Sequence, residues 1–306
     1  MPSFPGPLPV RVRAIVFDMD NTLFDFVAAK QHACREMAKF LGRDDWEALF
    51  SCFLESPHGF ESHENIRDYF DLCGLLERCA SRKNPDSDQA IPATNPLPER
   101  ENVVRIQISQ VTQTPATPPK ISVPSACAIP PGKVSTQPPL LPVRDNLLAD
   151  KSLYCNEVFS RACAIYEAEK VRVLEPYPGA RETLAGLKRR GLPLAVVTDA
   201  HNGNALTRLR RTGLAGYFDH VISYDMTGAK KPAPDAFLLA LKLLGTTPAE
   251  TLLVGDSLRR DIAPAQQLGM VTAYAKYGDR NLRGMEPPDC RPDFVLGDIR
   301  DLAGLV

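Results

Sequence analysis

The chain lacks any Cys-x-x-Cys pair. Its eight cysteines (Cys34, Cys52, Cys73, Cys79, Cys127, Cys155, Cys163 and Cys290) are scattered, and no histidine cluster stands at zinc-ligand spacing. This argues against a structural zinc centre and makes reduced thiols in a cytoplasmic setting the expectation. There is also no excess of charge of either sign. With 36 Lys and Arg against 37 Asp and Glu, the formal net charge is -1, so no general attraction draws the chain to nucleic acid or an anionic membrane. Any anion must be held by a local site. No uninterrupted apolar run approaches membrane-spanning length, and the opening MPSFPGPLPV has neither the basic region nor the apolar core of a signal peptide. Residues 1–9 are expected to form a disordered lead-in. What remains is a globular composition: 306 residues, 44% of them hydrophobic, enough to build a sizeable core.

Residues 12–24 read VRAIVFDMDNTLF. The run from Val12 to Phe17 is apolar and rich in β-branched side chains, as a buried parallel strand requires, and it ends on two carboxylates, Asp18 and Asp20. In open α/β sheets ligands bind beyond the carboxyl ends of the strands, which places both acids at a binding rim. A plain turn is the competing reading, since Asp20, Asn21 and Thr22 are ordinary turn formers.

After this strand the spacing is helical. Residues 24–41 carry Phe26, Ala29, Ala33, Met37, Phe40 and Leu41 on one face and stop at Gly42. A second helix capped by Asp44 or Asp45 is predicted through Phe53, and a third over residues 65–72, ending near Gly74. Residues 147–171 close the series, with Leu148, Leu153, Val158, Phe159, Ala162 and Ile165 on one side. A strand that runs into several helices rather than one crossover predicts an inserted helical module. Residues 84–142 break the pattern, holding 13 of the chain's 28 prolines with many Ser, Thr and Gln. Such a tract buries too little apolar surface to offset its ordering entropy, so it is expected to be disordered, with VVRIQISQV (103–111) as its one strand-like stretch. Its functional reading is a docking segment for a protein partner; a tolerated surface insertion is favoured, because long loops add little closure entropy.

From residue 177 an α/β rhythm follows. Tyr177-Pro178-Gly179-Ala180 is expected to open a helix ending at Gly191. Strands are predicted at 192–198, 220–223, 251–255, 271–275 and 294–296, and helices at 204–212, 235–244 and 261–268. The fold expected is α/β, a Rossmann-like doubly wound parallel sheet core with an inserted helical cap domain. Its core comprises residues 10–24 and 175–306, and its cap residues 25–174. Polar residues again close the strands: Thr198 at the second, Gly255-Asp256-Ser257 at the fourth, with Lys230-Lys231-Pro232 between them. Carboxylates at two strand ends suit a hard cation, while a hydroxyl and an ammonium suit phosphate oxygens.

These motifs together resemble the haloacid dehalogenase-like hydrolase superfamily. The resemblance rests on Asp18-Met19-Asp20-Asn21-Thr22, Thr198, Lys231-Pro232-x-Pro234 with Phe237, and Gly255-Asp256-Ser257 with Asp261, in that order. It implies Asp18 as nucleophile and Asp20 as general acid and base. Thr198, Lys231 and the backbone N–H of Asp199 are then phosphate contacts. Mg2+ falls to Asp18, the backbone carbonyl of Asp20, and Asp256. Asp261 is expected behind these groups, orienting Lys231 or a water of the metal, with a helix N-terminal charge as its alternative. Asp199 departs from the Asn of many relatives, and its carboxylate suits a phosphate site only by pointing away. Lys230 is expected to be a solvated neighbour. His58, His63 and His201 are weaker substrate contacts and stay outside the site. Because Asp20 is present, the resemblance implies a Mg2+-dependent phosphatase acting on a small phosphorylated metabolite rather than a dehalogenase. A phosphoglucomutase-like phosphotransferase, or a non-catalytic relative binding a partner through the Pro-rich tract, are the alternatives.

Overall fold

The computed structural model describes residues 12–55, 57, 59–75, 151–280 and 289–306, with side chains in the helix that begins at Lys151 described from residue 157. The expected lead-in, the Pro-rich tract with its strand-like stretch, and His58 lie outside the described residues.

Six strands form one parallel sheet: β1 (Ala14–Phe17), β2 (Leu194–Val197), β3 (His220–Ile222), β4 (Thr251–Gly255), β5 (Val271–Ala275) and β6 (Phe294–Leu296). Their order is β3-β2-β1-β4-β5-β6, the doubly wound arrangement that leaves a ligand crevice where the order reverses beside β1. Strand β1 pairs with both β2 and β4, so Phe17 stands opposite Val196 on one side and Val254 on the other. That register brings the ends of three strands to one point.

All four β1 residues are buried, as expected of a strand covered on both faces. On one face Ile15, Phe17, Val196 and Val254 pack with Leu184 and Leu187 of a helix at Ala180–Arg189 and Leu209 of one at Asn202–Arg211. On the other, Val16, Val197 and Leu253 meet Phe237 and Leu241 of a helix at Asp235–Leu244. Each such side chain, wholly removed from water, contributes about 1.5–3 kcal/mol. The helix at Ala180 opens at the end of the Tyr177-Pro178-Gly179-Ala180 segment, where Gly179 turns the chain with φ +84°.

Between β1 and β2 lie α1 (Phe26–Phe40), α2 (Trp46–Glu55), α3 (Glu64–Leu72) and α4 (Lys151–Arg172). With these labels the core helices at 180, 202 and 235 are α5, α6 and α7. The four inserted helices have a core of their own, in which Ala33, Met37, Phe50, Phe53, Ile66, Tyr69 and Tyr166 are buried together and Phe53 stacks on Tyr166 at 5.0 Å. Asp45 stands directly before α2. It accepts from the Arg43 guanidinium and, at 2.6 Å, from the Tyr69 hydroxyl, tying the α1–α2 turn to α3.

The helix expected at 261–268 is preceded by a wide π-type turn, Leu258–Ile262, and is regular only over Ala263–Gln267. Its cause is local. The Ser257 carbonyl accepts from both Asp261 N (2.9 Å) and Ile262 N (3.2 Å), while the Asp261 carboxylate turns back to accept from Ser257 N at 3.1 Å. Widened turns of this kind occur where a side chain must be re-aimed, and here it is Asp261.

Candidate active site

Strand β1 ends on Asp18, whose N–H still donates to Val254 O at 2.8 Å. Its neighbours β2 and β4 end on Thr198 and Asp256, so sheet order alone sets these three residues side by side. All three are buried, as are Lys231 and Asp261. Lys231 Nζ donates to Asp18 Oδ1 and, at 2.6 Å, to Asp261 Oδ1. Burial works against an ammonium, yet Asp18, Asp261 and Asp199 together hold Lys231 above its ordinary value. Lys230 goes elsewhere, lying 5.3 Å from the centre of the Tyr224 ring. Asp261 accepts from Lys231 with one oxygen and from Ser257 N with the other, and Gly255 makes room for it: a Cβ there would stand 2.5 Å from Asp261 Cβ.

Asp199 lines the cavity above these strand ends, and its carboxylate is engaged by two donors. Oδ1 accepts from Lys231 N at 2.9 Å and Oδ2 from Arg260 Nη1 at 3.5 Å, which secures the loop carrying Lys231. Thr198 Oγ1 accepts from Ala200 N at 3.1 Å and keeps its hydroxyl proton for another acceptor.

The turn after β1 is built by Asn21. Its φ of +63° is a left-handed conformation that Asn tolerates better than most side chains, and its Oδ1 accepts from Phe26 N and Val27 N, both at 3.1 Å. Asn21→Ala keeps the strained φ and strands Val27 N at the start of α1, leaving Phe26 N with only Phe24 O at 3.0 Å. We expect a stability loss of about 2 kcal/mol in urea denaturation. Asn21→Gly, which removes the φ strain, should lose less.

Asp20 lies one residue before this turn, and burial pushes its carboxyl up to about 7, with Arg208 opposing the rise and Glu61 and Asp18 adding to it. A carboxyl in that range can both give and take a proton near neutrality. Arg208 and Glu61 carry no signature that the motifs contain. Nor was the Thr22 hydroxyl expected at the site, where it stands 3.3 Å from both Asp18 Oδ2 and Asp256 Oδ1. His63 pairs with Glu167 at 3.0 Å, whereas His201 pairs with Asp225 Oδ1 at 2.6 Å and is also one of the residues that line the cavity.

The acid cluster invites a cation. Asp18, Asp256 and Asp261 each present a carboxylate oxygen within 4.8 Å of the others, all buried. A hydroxyl has one proton, so Thr22 can satisfy Asp18 or Asp256 but not both at once. Burial, with Asp18 and Asp261 as neighbours, accordingly drives Asp256 well above the carboxylate range. Asp261 accepts from Lys231 and Ser257, and Asp18 from Lys231 and Thr22, so the buried oxygens of this cluster are of the kind that suit a hard divalent ion. Above the acids opens a cavity of about 820 Å3, whose walls include Asp20, Thr198 and Lys231 and, from the α2–α3 turn, Phe60 and Glu61. That size suits a small molecule.

The sequence is 34% identical over 153 residues to a glyceraldehyde 3-phosphate phosphatase of Methanocaldococcus jannaschii, covering 50% of this chain and 66% of that protein. It is 34% identical over 128 residues to a phosphoglycolate phosphatase of Neisseria meningitidis, covering 42% and 54%. The matched part thus spans less than two thirds of these curated relatives. The fold is similar to that of a HAD-hydrolase of Bacillus subtilis solved with bound magnesium, at a TM-score of 0.53 and 17% identity over 95% of this chain and 97% of that one. The profile of the haloacid dehalogenase-like hydrolases matches residues 12–269, and the chain belongs to that family.

Proposed function

We propose that the protein is a Mg2+-dependent phosphatase that hydrolyses a small phosphomonoester through an aspartyl-phosphate on Asp18. One observation carries the reading: a buried Asp18 that touches Lys231, shares the Thr22 hydroxyl with Asp256, and faces a cavity also lined by a carboxyl near 7. The names of the relatives, glyceraldehyde 3-phosphate and phosphoglycolate phosphatases, support a small phosphorylated substrate.

In this mechanism a carboxylate oxygen of Asp18 attacks phosphorus as the ester P–O bond breaks. Asp20, protonated, gives its proton to the departing alcohol oxygen. It then takes a proton from water, which attacks phosphorus and returns Asp18 to a carboxylate. Lys231 neutralises charge on the transferring oxygens and holds Asp18 in line, and the Thr198 hydroxyl and Asp199 N–H donate to the same oxygens. Asp18, Asp256 and the Asp20 backbone carbonyl would hold Mg2+, which when bound offsets the negative charge of the phosphoryl group and the acids. Asp261 fixes Lys231.

Residues 25–174 act as a cap over a core of residues 10–24 and 175–306, hinged near residues 24–26 and 175–178, and closure excludes water before chemistry. Phe24 forms bridges to Asp20 and to Pro176, which joins both hinge segments to the site. The scattered cysteines, with no Cys-x-x-Cys pair, fit a reducing, cytoplasmic compartment, and the five whose side chains are described form no disulfide. No described helix is long and apolar enough to cross a membrane.

Purified protein with Mg2+ should release inorganic phosphate from p-nitrophenyl phosphate and from at least one member of a panel of small alkyl phosphomonoesters. EDTA should stop the release and added Mg2+ restore it. Metal-independent turnover, or transfer of phosphate between sugar positions without net release, would contradict the assignment.

A further inference from the structure

Arg208 heads the wholly buried side chains of the described residues by volume, and it belongs to none of the strand-end segments. It projects from α6. Nη1 donates to Asp20 Oδ2 at 2.7 Å and to Glu61 Oε1 at 3.0 Å, while Nη2 donates to Glu61 Oε2 at 2.7 Å. Its guanidinium carbon lies 3.9 Å from the centre of the Phe26 ring at the start of α1. One cation thus joins the proposed acid–base residue to the α2–α3 turn of the inserted helices.

Two elementary facts make this geometry directional. A guanidinium has donors only, so the Asp20 oxygen that faces it acts as an acceptor, and it accepts more strongly when the acid proton sits on the other oxygen. The other oxygen, Oδ1, is buried and has no hydrogen-bond partner. Oδ1 is therefore the favoured seat of the carboxyl proton. Glu61 matters for a different reason. A guanidinium buried against a single carboxylate would leave several donors unmet, and the two-pronged contact with Glu61 meets two of them and fixes the plane of the fork. Burial alone would raise the Glu61 carboxyl, but the Arg208 charge and hydrogen bonds bring it down to about 2, so Glu61 is a standing anion.

We propose that Arg208 is a positioning residue for proton transfer: it pins Asp20 Oδ2, reserves Oδ1 for the leaving oxygen and then for water, and is itself held in register by Glu61 of the cap turn. The inference rests on the phosphatase reading above. It adds that the acid is aimed only while the turn at 59–62 is seated, since unseating Glu61 releases the fork.

The test uses two leaving groups. p-Nitrophenolate departs without a proton, whereas an alkoxide needs one, so kcat/KM for the two esters separates proton delivery from phosphoryl binding. Arg208→Gln should lower kcat/KM roughly 10²-fold on the alkyl ester turned over fastest in the panel, the scale of one general acid. On p-nitrophenyl phosphate it should lose at least about tenfold less, while Glu61→Gln should show the same bias. In an Asp20→Asn background, Arg208→Gln should change neither ester further, because a residue that acts through Asp20 has nothing left to position. Equal losses on both esters would overturn the inference, as would an undiminished effect of Arg208→Gln in the Asp20→Asn protein, which is what a purely structural role would give. Wild-type protein that released no phosphate from either ester would instead overturn the phosphatase reading itself.

Discussion

Asp18→Asn is expected to lower kcat for phosphate release by roughly 10⁶-fold, the scale of losing a covalent nucleophile, while the fold persists. The amide has the shape of the carboxylate but neither its nucleophilicity nor its charge. Lys231 keeps Asp261 as a partner at 2.6 Å, so its ammonium is not left unpaired. Thr22 can still donate to Asp256, which at 3.3 Å it already does in competition with Asp18. Asp18 also raises both Asp256 and Asp261, so its neutralisation relieves a repulsion among buried acids. The variant should therefore melt no lower than the wild type in metal-free buffer. It should also show a smaller thermal shift on adding Mg2+, because one of the two charged ligands is gone. Measurable turnover by the purified variant would remove Asp18 from the role of nucleophile.

Gly278→Ala should be the most damaging single methyl at the site. A Cβ at this position would lie 1.7 Å from the carbonyl oxygen of Asn21 and 3.4 Å from Asp256 Cβ. The first contact is with backbone, so no side-chain rotation relieves it, and either this turn or the one after β1 must move. The two turns are also bonded: the Tyr277 hydroxyl donates to Thr22 O at 2.8 Å. We expect a stability loss of about 3 kcal/mol, at the upper end for overpacking. Displacing Asp20 and Thr22 by even an ångström should lower kcat by about 10²-fold. Urea denaturation followed by kcat at saturating substrate would check both, and wild-type values for both would mean that the two backbones are not in contact.

Neither Gly278 nor Arg208 was legible in the sequence, and the reasons differ. Asp18, Thr198 and Asp256 were readable because each ends a short apolar run, and strand ends converge by topology without any knowledge of side-chain packing. Lys231 was readable from its place before Pro232. The contact of Gly278 with Asn21 joins two turns 257 residues apart through backbone atoms, for which a glycine in a loop carries no distinctive signature. Arg208 stands in a run, TRLRRTG, that reads as a solvated helix face. Its spacing held a usable signal all the same: Ala205, Arg208, Leu209 and Thr212 follow the i, i+3, i+4, i+7 pattern, so the arginine falls on the buried stripe. Lys30 obeys the same rule. It stands with Phe26, Ala29 and Ala33 on α1, is wholly buried, and donates to Phe60 O beneath three aromatic rings. Burial, with Lys170 nearby, lowers it to about 7. A cation on an apolar stripe is thus a sign of an internal anion or aromatic cage. A helix boundary erred where a side chain redirected the backbone, as Asp261 does at the π-type turn.

The central position of β1 has a consequence for synthesis. Its second partner, Thr251 opposite Ala14, is translated 237 residues later. At roughly 5–20 residues per second a ribosome needs about 12–47 s to cover that distance. Throughout this interval the segment AIVF, wholly buried in the finished sheet, has one edge without its native neighbour. Substitutions that make β1 stickier without changing the folded state should therefore lower soluble yield during expression while leaving the purified protein's melting temperature unaltered.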